Sequence, residues 1–152
     1  MNDITIRKAT HLDLPKLRDF EQGLIEAERP FDATIRENPL MYYDLEAILE
    51  SESSLIVVAQ YQEEIIGCGM VLTADARPYL KHKTYANIRF LYTVPEHRGK
   101  GVNALVIDFL KQWAHTQNLF EIRLTVYQDN LPAIKAYEKV GFHKHIIEMR
   151  LP

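Results

Sequence analysis

The sequence predicts an α/β fold, α+β in arrangement, with one mixed, mostly antiparallel sheet flanked by helices in the order βααβββαβαβ. Two observations carry this expectation. Apolar runs of strand length, several of them β-branched, recur from one end of the 152 residues to the other. Stretches with the i, i+3, i+4 spacing of helices stand between them, so helices and strands interleave.

Taken in order, "ITIRKA" alternates and reads as a first strand. Thr10 followed three residues later by Asp13 forms a capping-box pattern, and Pro15 sits early enough to be tolerated near a helix start. Leu14, Leu17, Phe20, Gly23 and Leu24 then follow helical spacing to about Glu28. Residues 29–39 contain two prolines and read as a loop, and a short helix is expected over residues 42–50, with Leu45, Ile48 and Leu49 inward. "SLIVVAQY" and "IIGCGMVLT", separated by polar "QEE", read as an antiparallel hairpin; Gly67 and Gly69 in the second run signal close approach by another element. "TYANIRFLYTV" reads as a strand and residues 102–113 as a helix with Val102, Leu105, Val106, Phe109, Leu110 and Trp113 on its apolar face. "EIRLTVY" is expected as a strand. "NLPAIKAYEKVGF" reads as a helix capped by Asn130 and ended by Gly141. "HKHIIEMRL" is expected to close the sheet.

Bulk properties narrow the function. No repeat or linker divides the chain, so a single domain over residues 1–152 is expected. Hydrophobic residues are 47% and charged residues 26%, with a net charge of −3, so no global basic field draws the protein to nucleic acid or an anionic membrane. Any anion site must be local. The one cysteine, Cys68, lies in an apolar run, which excludes disulfide scaffolds and cysteine metal sites and reads as a core thiol. No hydrophobic leader or bilayer-length apolar stretch stands out, and a cytoplasmic location is expected. His143 and His145 share one face of the expected last strand, but no third ligand accompanies them and no metal is implied.

A local anion site is written into "PEHRGKGVNALV". A strand runs into a loop with Gly99 and Gly101, bracketed by Arg98 and Lys100, that opens directly on a helix. A helix N-terminus leaves backbone N–H groups unpaired and carries partial positive charge, and glycines let the preceding backbone turn inward so that those groups converge on a phosphate. The spacing is neither the G-x-x-x-x-G-K-[ST] of P-loop nucleotidases nor G-x-G-x-x-G, so by itself it is equally compatible with a tight turn carrying two solvated bases.

Together, "LYTVPEHRGKGVNALV" and the later "DNLPAIKAYEKVGF" resemble the GNAT acyl-CoA N-acyltransferase superfamily. The first segment is similar to that family's pyrophosphate loop, Q/R-x-x-G-x-G/A, read here as Arg98, Gly99, Lys100, Gly101, Val102 and Asn103, with Asn103 departing from the family's Gly or Ala. The second resembles its N-x-x-A-x-x-x-Y-x-x-x-G-F segment, through Asn130, Ala133, Tyr137, Gly141 and Phe142. The resemblance implies that the loop holds the pyrophosphate of acetyl-CoA and that backbone groups of Leu91 and Thr93 bond the pantetheine arm. It also implies that Tyr137, beside the thioester sulfur, is the general acid. From periodicity alone, Tyr137 is an aromatic on the apolar face of a short helix.

Acyl transfer to an amine needs a neutral amine, a polarised carbonyl and a stabilised leaving thiolate; direct attack in a ternary complex needs no enzyme nucleophile, so Cys68 has no required role. Many relatives use a glutamate base on the strand before the glycine loop, but "TYANIRFLYTV" contains no acid. Glu28, Asp32, Asp44 and Tyr43 are the base candidates, and Glu28, Phe31 and Tyr43 the candidate acceptor contacts, because the region between the first two helices lines the acceptor site in the family. Three functions stay open at this point: N-acetyltransfer to a primary amine of a small molecule, acetylation of a protein Lys or N-terminus, and a non-catalytic acyl-CoA-binding regulatory module. Relatives are often homodimers, but no interface is marked.

Overall fold

The structure is a computed structural model that describes residues 3–152; Met1 and Asn2 lie outside it. The chain forms β1 (Ile4–Lys8), α1 (Leu14–Glu28), α2 (Leu45–Glu50), β2 (Ser54–Tyr61), β3 (Glu64–Asp75), β4 (Thr84–Thr93), α3 (Val102–Thr116), β5 (Ile122–Arg123) and α4 (Leu131–Lys139). The sheet has the order β1-β2-β3-β4-β5, antiparallel throughout except for the parallel pair β4–β5.

Both faces of the sheet are buried, which is why β2 reads as a continuous apolar run rather than an alternating one. Leu55, Val57 and Ala59 point to one face and meet Val102, Val106, Leu110 and Ala114 of α3. Ile56 and Val58 point to the other, where Leu17 and Phe20 of α1 and Leu45 of α2 cover them together with Cys68 and Met70. Cys68 is fully buried, as a core thiol.

Gly67 and Gly69 set the distance between α3 and the sheet. A Cβ on Gly69 would stand 2.5 Å from Val106 Cγ1, and one on Gly67 would stand 3.2 Å from Val102 Cγ1. The i+4 row Val102, Val106 and Leu110 is therefore the row that sits down on β3. Leu105 and Phe109, expected on the buried face, lie instead on the flank and are exposed, because the glycine track selects the neighbouring row.

The start of α1 follows its sequence pattern. Thr10 and Asp13 exchange the reciprocal capping-box bonds across a short 3₁₀ turn (His11–Asp13), and the Arg7 guanidinium grips both Asp13 oxygens at 2.9 Å. Three expectations need correction. The second helix begins at Leu45, not at residue 42, because the Asp44 side chain caps it by accepting from the Ala47 N–H. "EIRLTVY" is strand only at Ile122–Arg123, because β4 turns away from it beyond that point. Residues 143–151 form no strand, so the order ends at α4; no neighbouring edge pairs with them, and a strand exists only through its ladder. His143 and His145 are accordingly exposed.

Candidate functional site

β4 carries an irregularity halfway along. The β3–β4 register passes from Cys68↔Tyr92 to Met70↔Arg89, so Phe90 and Leu91 stand opposite Gly69 alone. This is a β-bulge, which bends the strand that holds it. Phe90 takes φ 56°, costly for a bulky side chain, and the conformation is held by its burial and by the Cys68 Sγ–H, which donates to the Phe90 carbonyl oxygen at 3.5 Å. The consequence is on the other side. β4 pairs with β5 only at Ala86↔Ile122 and Asn87↔Arg123, so residues 88–93 have no ladder partner on the β5 side. On that side the backbone left without a strand partner includes Leu91 and Thr93.

The unpaired end of β4 leads to the glycine loop. Gly99 and Gly101 take φ 75° and 83°, and Gly101 is the N-cap of α3 with no side-chain cap. Among the described residues, none accepts a loop or cap hydrogen bond from the N–H groups of residues 99–103. A Cβ on either glycine would meet nothing within 4 Å. The loop is thus a concave turn of free donors at the positive end of a fifteen-residue helix. Arg98 is tied inward: its Nε donates to the Thr93 carbonyl at 2.8 Å and its guanidinium lies 5.4 Å from the Tyr92 ring centre. Lys100 is exposed. The Asn103 side chain turns away from the loop's hollow and accepts from the Thr93 hydroxyl at 3.1 Å.

Tyr137 lies on α4, half-buried against the core cluster under α3, its ring edge-on to Phe142 at 6.2 Å. Burial, and then the charge of Glu28, push its phenol above its ordinary value, so it stays protonated at neutral pH. Its hydroxyl makes no hydrogen bond to another described residue. Asn130 caps α4 through its side-chain oxygen, which accepts from the Ala133 N–H at 3.4 Å.

The residues expected to contact an acceptor gather at the end of α1 and the loop after it. Glu28, the last residue of α1, is half-buried; burial raises its carboxyl above the usual range, and the neighbouring Tyr42 hydroxyl pulls the other way. Its field reaches Asp32, Tyr42, Tyr43, Tyr127 and Tyr137, which brings one raised carboxylate, one lowered one and four phenols together. Asp32 is held below the carboxylate range by Thr34 and by Tyr127, whose hydroxyl donates to it at 3.0 Å. Phe31 stacks on Tyr127 with ring centres 6.1 Å apart. Tyr43 packs on Phe90, and burial pushes its phenol up. Asp44 is not part of this group: it is exposed and spent on capping α2.

Three contributors are not legible in the sequence. Tyr42 is one, and its hydroxyl lies beside Glu28. Tyr127 ends the expected strand "EIRLTVY" with no motif of its own, yet it closes the group from the α4 side. Glu21 is a buried acid on the inner face of α1 whose Oε2 accepts from the Tyr42 and Tyr43 N–H groups at 3.0 and 2.8 Å, fixing the loop. Its one signal is a charged residue at an i+4 core position, between Leu17 and Ile25.

Among the described residues, no cluster of three or more His, Cys, Asp or Glu side chains could hold a metal, and no helix is long and apolar enough to cross a membrane.

Comparison with known proteins gives the fold and the family. Streptothricin acetyltransferase of Escherichia coli is 42% identical over 57 residues, 38% of this chain and 33% of that protein. The chain spans only about a third and a quarter of the two curated relatives it matches, at 33% and 24% of their lengths. The tetramutant of the BH1408 protein from Bacillus halodurans superposes with a TM-score of 0.84 at 22% identity, covering 97% of this chain and 99% of that one. A predicted acetyltransferase from Clostridium acetobutylicum, solved with acetyl-CoA, gives 0.76 at 22% identity over 98% and 96%. These two share the fold. The model of the "Acetyltransferase (GNAT) family" matches residues 21–142, from within α1 through α4 and across the whole sheet beyond β1, and the chain belongs to that family.

Proposed function

We propose that the protein transfers the acetyl group of acetyl-CoA to a primary amine of a small molecule, by direct attack in a ternary complex in the cytoplasm. One observation carries this reading: the β4–β5 ladder stops at Asn87↔Arg123, and the unpaired end of β4 beyond it runs to the uncapped, glycine-turned start of α3. An extended arm with a pyrophosphate at one end fits both features, since the free edge of β4 offers strand-like bonds and the loop offers converging N–H groups. The relative solved with acetyl-CoA supports that occupant. In this reading Leu91, Thr93 and residues 98–103 hold acetyl-CoA. Asn130 serves by fixing the start of α4, because its side-chain oxygen is engaged in the cap.

The chemistry divides between two residues. Glu28 accepts the proton of the incoming ammonium, directly or through water; its raised carboxyl suits it better than Asp32, which is held low. The freed amine attacks the thioester carbon, the C–N bond forms and the C–S bond breaks. Tyr137 gives its phenolic proton to the departing thiolate, and burial keeps that proton in place until then. The attacking nitrogen gives up its second proton through water to the Tyr137 phenolate left by thiolate protonation, so that the net proton released is the one on Glu28. Phe31, Tyr43 and Tyr127 line the acceptor with Glu28 and Asp32, a group of acids and aromatic faces suited to a cationic amine. The match to a protein named for streptothricin supports a small-molecule acceptor over a protein one.

The test is a panel of small amines with acetyl-CoA, read by release of free thiol, beside lysine-containing peptides. Turnover of a small amine is the expected result. Turnover of peptides alone would move the reading to protein acetylation, and acetyl-CoA binding with no turnover would leave a binding module.

A further inference from the structure

β4 carries charge on the face that turns away from α3. Ile88 belongs to the cluster under α3, so Arg89 stands on the opposite face. There its partner in β3, Met70, belongs to the cluster of Phe90 and Tyr43. Asn87 shares that face by alternation, and Arg123 of β5 joins it opposite Asn87. Arg89 itself is exposed.

How each guanidinium is engaged separates Arg89 from its neighbours. Arg123 bonds Glu121 at 3.0 Å and lies 5.3 Å from the Tyr85 ring centre. Arg29, at the end of α1, donates to Glu26 at 3.0 Å, to the Arg36 carbonyl at 2.9 Å and to Asn38 Oδ1 at 3.2 Å. Among the described residues, no carboxylate pairs with Arg89. Its partner is neutral. With the Asn87 amide turned so that its oxygen faces Arg89, that oxygen accepts from Nε at 3.0 Å and from Nη2 at 3.2 Å. A neutral amide orients the guanidinium without cancelling its charge. The edge formed by Nη1 and Nη2 stays free, and that edge meets both oxygens of a carboxylate end-on.

The place of this charge gives it a use. Tyr43 packs on Phe90, the residue next to Arg89, with ring centres 5.2 Å apart. Its phenol stands in the fields of Glu28 and of Arg89, which act on it in opposite directions. The group around Glu28 is therefore acidic at one end and basic at the other, with Tyr43 between them. In a chain of net charge −3, the acidic end alone would favour the most cationic amine. An uncancelled guanidinium at the other end favours a molecule that carries an anion as well as an amine. On the small-amine reading, we infer that Arg89 selects an acceptor that bears a carboxylate beside its amine, the Nη1–Nη2 edge taking the carboxylate while the amine lies at Glu28. The acceptor class is then an amino acid or a similar zwitterion, and Asn87 is the residue that positions Arg89 for it.

The experiment compares primary amines that differ by one carboxylate: lysine with cadaverine, ornithine with putrescine, and β-alanine with ethylamine. Each is read as kcat/KM at saturating acetyl-CoA by release of free thiol, beside a thermal melt of every variant. In the wild type the carboxylated member of at least one pair is expected to lead by roughly tenfold or more, as a charge-assisted, bidentate bond gives. In Arg89→Gln that lead is expected to fall to about one or below, through the KM of the amino acid. Arg89→Lys, which keeps the charge and loses the fork, is expected to lie between the two. Wild-type ratios at or below one in every pair need no variant and would overturn the selection, as would a lead that survives in Arg89→Gln; acetyl transfer to a small amine would stand in both cases. No turnover of any small amine would remove that reading, and the selection with it.

Discussion

The Arg98 Nε donates to the Thr93 carbonyl oxygen at 2.8 Å, joining the last residue of β4 to the first residue of the glycine loop. The strand that offers bonds to an extended arm and the turn that offers bonds to a pyrophosphate are thereby held as one rigid piece. Arg98→Ala removes both the tie and a positive charge at the rim. It is expected to raise the KM for acetyl-CoA on the order of tenfold with little change in kcat, the signature of lost uniform binding. Steady-state kinetics at varied acetyl-CoA checks it.

Gly101→Val tests the loop itself. The glycine sits at φ 83°, and a Cβ placed on it would have nothing within 4 Å, so the substitution clashes with no protein atom. Its folding cost is backbone strain, roughly 1–2 kcal/mol for a left-handed non-glycine residue. Its binding cost is expected to be larger, because in the proposed reading the side chain fills the hollow that takes the pyrophosphate. Acetyl-CoA affinity is expected to fall at least about 100-fold, against a melting shift of only a few degrees, about 2–4 °C per kcal/mol in a domain of this size. Calorimetric titration and a thermal melt separate the two.

Glu28→Gln is expected to lower kcat/KM by about 10²-fold if the carboxylate takes the amine's proton. Stability moves the opposite way. A carboxyl raised in the folded state stabilises the fold at pH below its unfolded value, and that contribution is lost as pH rises through the raised folded value. At neutral pH the folded protein therefore holds a charge it would rather not bury, and Glu28→Gln should melt higher than the wild type. The acid limb of kcat/KM should lie above the ordinary carboxylate range and vanish in the variant. Full activity in Glu28→Gln would exclude it as the base.

Tyr137→Phe is expected to keep the fold and acetyl-CoA binding while kcat drops on the order of 10²-fold, with the KM for acetyl-CoA nearly unchanged. The phenol hydroxyl bonds to no described residue, so its removal breaks no structural contact, while the ring contact to Phe142 stays. Undiminished kcat would leave Tyr137 as a packing residue.

How far the molecule is legible in its sequence depends on what kind of interaction each feature needs. The Thr10–Asp13 capping box, the Asn130 cap, Gly67 and Gly69 are readable because each is a local requirement of backbone geometry or of side-chain size. The glycine loop is readable as a shape, and the resemblance supplies its ligand. The unpaired end of β4 is not readable, since it depends on a bulge of Phe90 and Leu91 against Gly69 and on a ladder that stops after two pairs. Tyr127 joins the site through a contact with Asp32 across 95 positions, which no local pattern encodes. Residues 143–151 have the pattern of a strand but no partner edge in this chain, and pairing is the one property of a strand that its own residues do not contain. For the same reason the buried row of α3 differs from the expected one: the glycines of another element select it.

Above all, the unpaired end of β4 and the glycine loop must hold acetyl-CoA by its arm and its pyrophosphate together. Calorimetric titration of acetyl-CoA into the wild-type protein, beside S-acetylpantetheine, which keeps the arm and lacks the pyrophosphate, tests this without reference to any acceptor. One site per chain is expected for acetyl-CoA, with most of the affinity lost when the pyrophosphate is missing. No heat with acetyl-CoA, or equal affinity for S-acetylpantetheine, would contradict it.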